Sequence, residues 1–245
     1  MADTTKEPLL KVEHLSKEFP AEAGMLAGRF SKRVVSAVND VSFEIHAGET
    51  FGLVGESGCG KSTLGRTILQ LYPQSHGDIL YYKDGKAIDL KKLSYEEMRV
   101  LRKDLQLIFQ DPYSSLNPRK TVRAILSEAF EIHHYGTKEE IAKAVEDLCE
   151  RVQIPLNLLD HFPHELDGGM RQIVGIARAL SLNADFIVCD EPVSSLDVSI
   201  QARIVNLLMD LQKKMGLSYL FISHDLSVVR HISTRIGVMY LGSLV

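Results

Sequence analysis

The chain is 245 residues long, 45% hydrophobic and 24% charged, with a formal net charge of -4. That length can bury a substantial interior, and the slightly acidic balance argues against a basic nucleic-acid-binding surface, so no nucleic-acid partner is expected. No apolar run approaches the ~20 residues that span a bilayer.

The opening stretch, residues 1–11, is polar and acidic, unlike a secretory leader. A strand is predicted over residues 9–15, with Phe19 just beyond it and an irregular, glycine-containing segment over 20–33. Val41, Phe43 and Ile45 alternate with polar neighbours in a second strand, and Ala47-Gly48 turns the chain into an apolar strand over 50–54. A helix follows over 64–71. Strands over 79–82 and 87–90 are joined through Lys83-Asp84-Gly85-Lys86, where Asp-Gly is a tight-turn pair. From residue 94 the pattern becomes helical. Ser94 with Glu97 and Thr137 with Glu140 have the spacing of capping boxes, and a short strand over 105–109 interrupts between them. The loop Asp111 to Arg119 carries two prolines, and helices resume at Thr121 and Thr137. Ile173, Ile176, Ala177 and Leu180 recur at helical spacing over 170–180. Strands over 186–189, 219–222 and 236–240 then alternate with helices, the first of them ended by Gly216. That alternation predicts a parallel sheet flanked by helices.

The chemistry centres on Gly55-Glu56-Ser57-Gly58-Cys59-Gly60-Lys61-Ser62-Thr63. Glycines let backbone N–H groups curl around phosphate oxygens, the following helix aims its positive end at the anion, Lys61 adds a charge, and Ser62 offers a hydroxyl to a magnesium ion. About 130 residues on, an apolar strand ends in Asp190-Glu191. One carboxylate there suits magnesium, the other a water attacking a γ phosphate. Gln110 and His224 also follow predicted strands; alone, either would say little. Cys59, Cys149 and Cys189 are odd in number and lack metal-ligand spacing, which reads as inert buried thiols in a reducing compartment.

The set Gly55 to Thr63, Gln110, Gly168-Gly169, Phe186 to Glu191, Ser195-Leu196-Asp197 and His224 resembles the nucleotide-binding subunits of ABC transporters. The stretches Phe109 to Arg119 and Pro192 to Gln201 are similar to oligopeptide and dipeptide importer ATPases. The resemblance implies an α/β P-loop NTPase (RecA-like) core with an antiparallel β subdomain and an inserted α-helical subdomain, the core spanning 1–93 and 181–245 and the helical part about 94–180. It implies ATP and Mg2+ as ligands: Gly55, Glu56, Ser57, Gly58, Cys59, Gly60, Lys61, Ser62 and Thr63 on ATP, Phe19 stacked on adenine, and Ser62, Gln110 and Asp190 at the metal. Glu191 would be the catalytic base, His224 the switch histidine, and Gln110 the link to membrane partners. Asp167, Gly168, Gly169 and Met170 would face the nucleotide of a second, non-identical ATPase subunit. Two permease subunits and, indirectly, an extracytoplasmic solute-binding protein would complete a peptide or small-solute importer, with this chain peripheral on the cytoplasmic face. A soluble ABC-type ATPase in a multi-enzyme complex and a regulatory subunit with weakened hydrolysis are the alternatives.

Two departures stand out. Asp167 occupies the place of the family's signature serine, where it could cap the next helix or set a negative charge against a triphosphate. Ile173 stands where many of these subunits carry a basic residue. The sequence also stops at Val245, where importer subunits usually continue into a cysteine-bearing extension, so a truncated chain is expected and no iron–sulfur cluster is inferred.

Overall fold

The computed structural model describes residues 7–20 and 34–245. Most of the polar opening stretch and of the irregular segment lies outside the described residues.

Four strands, β1 (Pro8–Pro20), β2 (Val34–His46), β4 (His76–Lys83) and β5 (Lys86–Asp89), form an antiparallel sheet in the order β2-β1-β4-β5. β1 runs past the expected end and takes in Phe19, because its pairing with β2 continues through Phe19 opposite Val35. β4 and β5 meet at Lys83 opposite Lys86. Asp84 and Gly85 between them have φ of 51° and 70°, the doubly left-handed turn that Asp-Gly favours.

The second sheet has the order β10-β9-β3-β8-β7-β6, built from β3 (Thr50–Val54), β6 (Leu105–Ile108), β7 (Phe186–Asp190), β8 (Ser218–Ile222), β9 (Arg235–Tyr240) and β10 (Ser243–Leu244). β3, β6, β7, β8 and β9 pair in parallel, and β10 returns antiparallel to β9. Every residue of β3, β7 and β8 is buried, as expected of parallel strands covered on both faces. Period-two alternation divides them between two cores. Ile187, Cys189, Tyr219 and Phe221 join the core shared with the helices, whereas Phe186, Val188, Leu220 and Ile222 join the core shared with the antiparallel sheet.

The helices are α1 (Lys61–Ile68), α2 (Tyr95–Leu101), α3 (Pro112–Ser115), α4 (Val122–Ile132), α5 (Lys138–Val152), α6 (Gly168–Leu180), α7 (Val198–Met215) and α8 (Leu226–Ile232). Both expected capping boxes are present, Ser94 with Glu97 and Thr137 with Glu140, and Gly216 closes α7 at φ 70°. The short α3 interrupts what the sequence suggests is a plain loop. β6 lies within the span expected for the helical subdomain, yet it pairs with β7 in the parallel sheet. The expected division at residue 94 therefore runs through the core sheet: a four-residue strand ringed by helices takes its place from its partner, which sequence does not display. Ile173 is 1% exposed within the helical core, so a basic residue there would have to bury its charge.

All three cysteines are buried and unpaired. Burial pushes the Cys149 thiol up to about 11 and raises that of Cys189 further, with the adjacent Asp190 adding to the shift. Both therefore stay protonated and inert at neutral pH.

Candidate nucleotide site

Residues 55–60 follow β3, Gln110 lies two residues beyond β6, Glu191 follows β7, and His224 lies two residues beyond β8. In the order β3-β8-β7-β6 these strands are adjacent and parallel. Their carboxyl ends therefore open at one edge of the sheet, where ligands of open α/β folds bind. The cleft there has a volume of about 610 Å³ and is lined by Ser57, Gly58, Gly60, Lys61, Ser62, Thr63, Gln110, Glu191, Ser194, Ser195 and His224.

The loop before α1 is shaped by its glycines. Gly60, the residue before α1, has φ 110°, and a Cβ there would overlap the carbonyl oxygen of Ala37. No side chain caps α1, so its first N–H groups are left to an anion. Lys61 Nζ donates to the carbonyl oxygens of Gly55 and Glu56, each at 2.7 Å, and lies 3.7 Å from Cys59 Sγ. Three residues expected to bind nucleotide, Gly55, Glu56 and Cys59, thus shape the loop and its lysine, while Ser57 to Thr63 apart from Cys59 face the cleft.

Beneath the loop, Ser62 Oγ donates to Asp190 Oδ1 at 2.6 Å, and Arg66 Nη2 donates to Asp190 Oδ2 at 3.2 Å. Asp190 is 1% exposed and reaches the cleft only through Ser62. Arg66 has no counterpart in the sequence reading. Its spacing from Ser62, one helical turn, was the available signal, since i and i+4 share a helix face. Burial disfavours the Arg66 guanidinium, but Tyr72 and Asp190 outweigh this and leave its pKa above the ordinary value.

Glu191 is the hub of the cleft's far wall. Its Oε2 accepts from Gln110 Nε2 at 3.1 Å and lies 3.3 Å from His224 Nδ1. Glu191 holds φ 46°, a conformation that costs a non-glycine residue about 1–3 kcal/mol and tends to persist at functional sites. The turn behind it is closed by Ser194, whose N–H and Oγ both donate to the Glu191 carbonyl. The contribution of Ser194 to the cleft was not foreseen, because a serine in a turn carries no signal of its own.

Two groups of expected residues lie elsewhere. Phe19 is not in the cleft lining; its ring meets Tyr72 edge-on at 5.6 Å, and Lys17 Nζ sits 4.8 Å from its centroid. Asp167, Gly168, Gly169 and Met170 lie at the start of α6, outside this cleft. Asp167 Oδ1 accepts from the Met170 N–H at 2.7 Å, so the aspartate takes the capping role. A Cβ on Gly169 would come within 2.7 Å of Ile200 Cγ2, which is why glycine is required where α6 approaches α7.

The residues fit the ligands that the fold implies. Uncapped N–H groups and Lys61 suit a polyphosphate, and the hydroxyl of Ser62 with the carboxylate of Asp190 gives the hard oxygen donors that magnesium prefers. Among the described residues no helix is long and apolar enough to cross a membrane.

Residues 38–194 match the ABC transporter family. The chain is 50% identical over 247 residues to the oligopeptide transport ATP-binding protein AppF of Bacillus subtilis, covering 100% of this chain and 73% of that protein. It is 49% identical to OppF of the same organism, covering 98% and 75%, and 48% identical to the glutathione import ATP-binding protein GsiA of Salmonella paratyphi A, covering 98% and 37%. Among solved structures, a dimeric ATP-binding cassette in a post-hydrolysis state with ADP and Pi superposes with a TM-score of 0.80 at 26% identity, over 96% of each chain. The cbiO1 subunit of Clostridium perfringens superposes with a TM-score of 0.80 at 28% identity, over 98% of this chain and 88% of that one. The chain therefore belongs to the ABC transporter family, among its ATP-binding subunits of the oligopeptide-importer type.

Proposed function

We propose that this chain binds and hydrolyses ATP at the cleft and thereby powers import of oligopeptides, dipeptides or a related small solute. The observation that carries the reading is the convergence on Glu191, whose carboxylate is gripped by Gln110 and His224 across the cleft from Lys61 and Ser62. A carboxylate so held can take a proton from an attacking water, while His224 and Gln110 fix its orientation. The uncapped N–H groups at the start of α1 and the Lys61 ammonium bind the phosphates of ATP. Ser62 and Asp190 would hold Mg2+, with the side-chain oxygen of Gln110 available to assist, and the ion would supply charge neutralisation for the phosphates. Phe19 and Tyr72 offer an aromatic edge for the adenine outside the cleft proper.

Each cleft carries only one wall of such a site. The glycines at the start of α6 lie away from it, which supports a dimer in which Gly168 and Gly169 of one subunit meet the nucleotide of the other. By likeness to importer subunits, the partner is a second, non-identical ATPase subunit beneath two permeases, with a solute-binding protein outside and this chain peripheral on the cytoplasmic face. Residues 1–93 and 181–245 together with β6 would form the catalytic core, and the helices between them the arm that carries Asp167.

The test is steady-state ATPase with Glu191→Gln. Hydrolysis should fall by about 10²- to 10⁴-fold, with binding of a fluorescent ATP analogue retained. An active Glu191→Gln enzyme would remove Glu191 from the chemistry.

A further inference from the structure

Asp190 presents an electrostatic problem. A carboxylate 1% exposed is costly to leave unpaired, yet a residue that binds a dissociable cation must lose that partner whenever the cation leaves. Its two oxygens are both engaged from α1, Oδ1 by Ser62 and Oδ2 by Arg66. The other basic side chains of the site are committed elsewhere: Lys61 to the carbonyl oxygens of Gly55 and Glu56, and His224 to Glu191. Among the described residues, Arg66 is the ionic partner of Asp190.

We propose that Arg66 is the resident counter-ion of Asp190, a positioning residue that keeps the carboxylate neutralised without metal and so limits how tightly Mg2+ is held. The proposal rests on the reading of Asp190 and Ser62 as the metal side of the site. Arg66 and a divalent cation draw on the same carboxylate, and like charges a few ångströms apart oppose each other. Arg66 is 35% exposed, so its guanidinium can shift toward solvent as a cation arrives. The arrangement favours release of Mg2+ with the product nucleotide over its retention.

The experiment compares the wild-type chain with Arg66→Met and Arg66→Lys, using Mg2+ and ATP as probes. Two quantities are read: the Mg2+ concentration giving half-maximal ATPase, and the rise in Tm between ATP with EDTA and ATP with Mg2+. Arg66→Met should lower the half-saturating Mg2+ by about ten-fold. Its Mg2+-dependent rise in Tm should exceed the wild type's by about 3 °C, because the metal then also relieves an unpaired carboxylate. Arg66→Lys keeps the charge and should stay near wild type in both. A merely structural arginine would lower Tm equally with and without metal. An equal Tm rise, or an unchanged or raised half-saturating Mg2+, in Arg66→Met would overturn the proposal. Should Arg66→Met fail to fold, Arg66→Gln is read by the same criteria. Asp190→Asn separates the two levels of inference: if its Mg2+ dependence equals the wild type's, the metal reading itself fails.

Discussion

Two glycine-rich helix starts in this chain solve the same problem in opposite ways. α1 begins at Gly60, which supplies no side-chain acceptor, whereas α6 begins at Asp167, whose carboxylate takes the Met170 N–H. Capped starts are the rule here: Ser94, Thr121, Thr137, Asp197 and Asp225 likewise cap α2, α4, α5, α7 and α8. A helix that satisfies its own N–H groups is stable without a partner; one that leaves them open is poised for an anion. The first start is thus built for phosphate. The second brings its own negative charge to the place where a partner subunit's phosphates are expected.

The contrast can be broken most severely at α1. Gly60→Ala would force a Cβ against the Ala37 carbonyl and demand φ 110° of a non-glycine residue. Nucleotide affinity should drop at least roughly 100-fold, the worth of about two hydrogen bonds to a charged ligand, read by titration with a fluorescent ATP analogue; near-normal affinity would show that the loop tolerates reshaping.

Asp167→Ser tests the other start. Serine also caps, so stability should change by only a few tenths of a kcal/mol. The dimer's ATPase should rise roughly ten-fold, a fraction of the ~4 kcal/mol between unit charges ~4 Å apart at a dielectric of ~20, because this exposed carboxylate is screened. Unchanged rate and nucleotide affinity would mean that Asp167 serves only as a cap. Asp167→Ala, which loses the cap, should cost about 1 kcal/mol in denaturant unfolding.

The smallest effect sharpens the rule for capped helices. Hydrogen bonds from Ser199 and then the Ile200 N–H depress the Asp197 pKa, and those from Ser227 do the same for Asp225. A depressed carboxylate stabilises the fold at a pH above its unfolded value, about 4, and that stability is lost as pH falls through the lower folded value. Denaturant midpoints should therefore decline below about pH 4, and less steeply in Asp197→Asn and Asp225→Asn, whose caps carry no charge to titrate.

Most of the site was legible because its residues belong to contiguous patterns. Glycine spacing marks 55–63, and an apolar run ending in two acids marks Asp190 and Glu191. Helix starts were equally readable from Ser94 and Thr137, since capping boxes are local. Arg66 escaped because its partner lies 124 positions away. The placement of β6 escaped for a similar reason: its four residues acquire meaning only from pairing with β7. The resemblance points Phe19 at the adenine, and its edge-on contact with Tyr72 could not be read beforehand, because no sequence periodicity ties that segment to β1.

The sequence by itself determined the elements and the chemical types: which stretches alternate, where helices start, and which side chains could meet a phosphate. Such properties depend on neighbours a few residues apart, where backbone geometry fixes the periodicity. Only the tertiary structure decided that β3, β8, β7 and β6 stand side by side, so that Lys61, His224, Glu191 and Gln110 share one cleft. It also decided that Arg66 pairs with Asp190. These are outcomes of strand order and packing between residues far apart in the chain, set by how two buried sheet faces are covered.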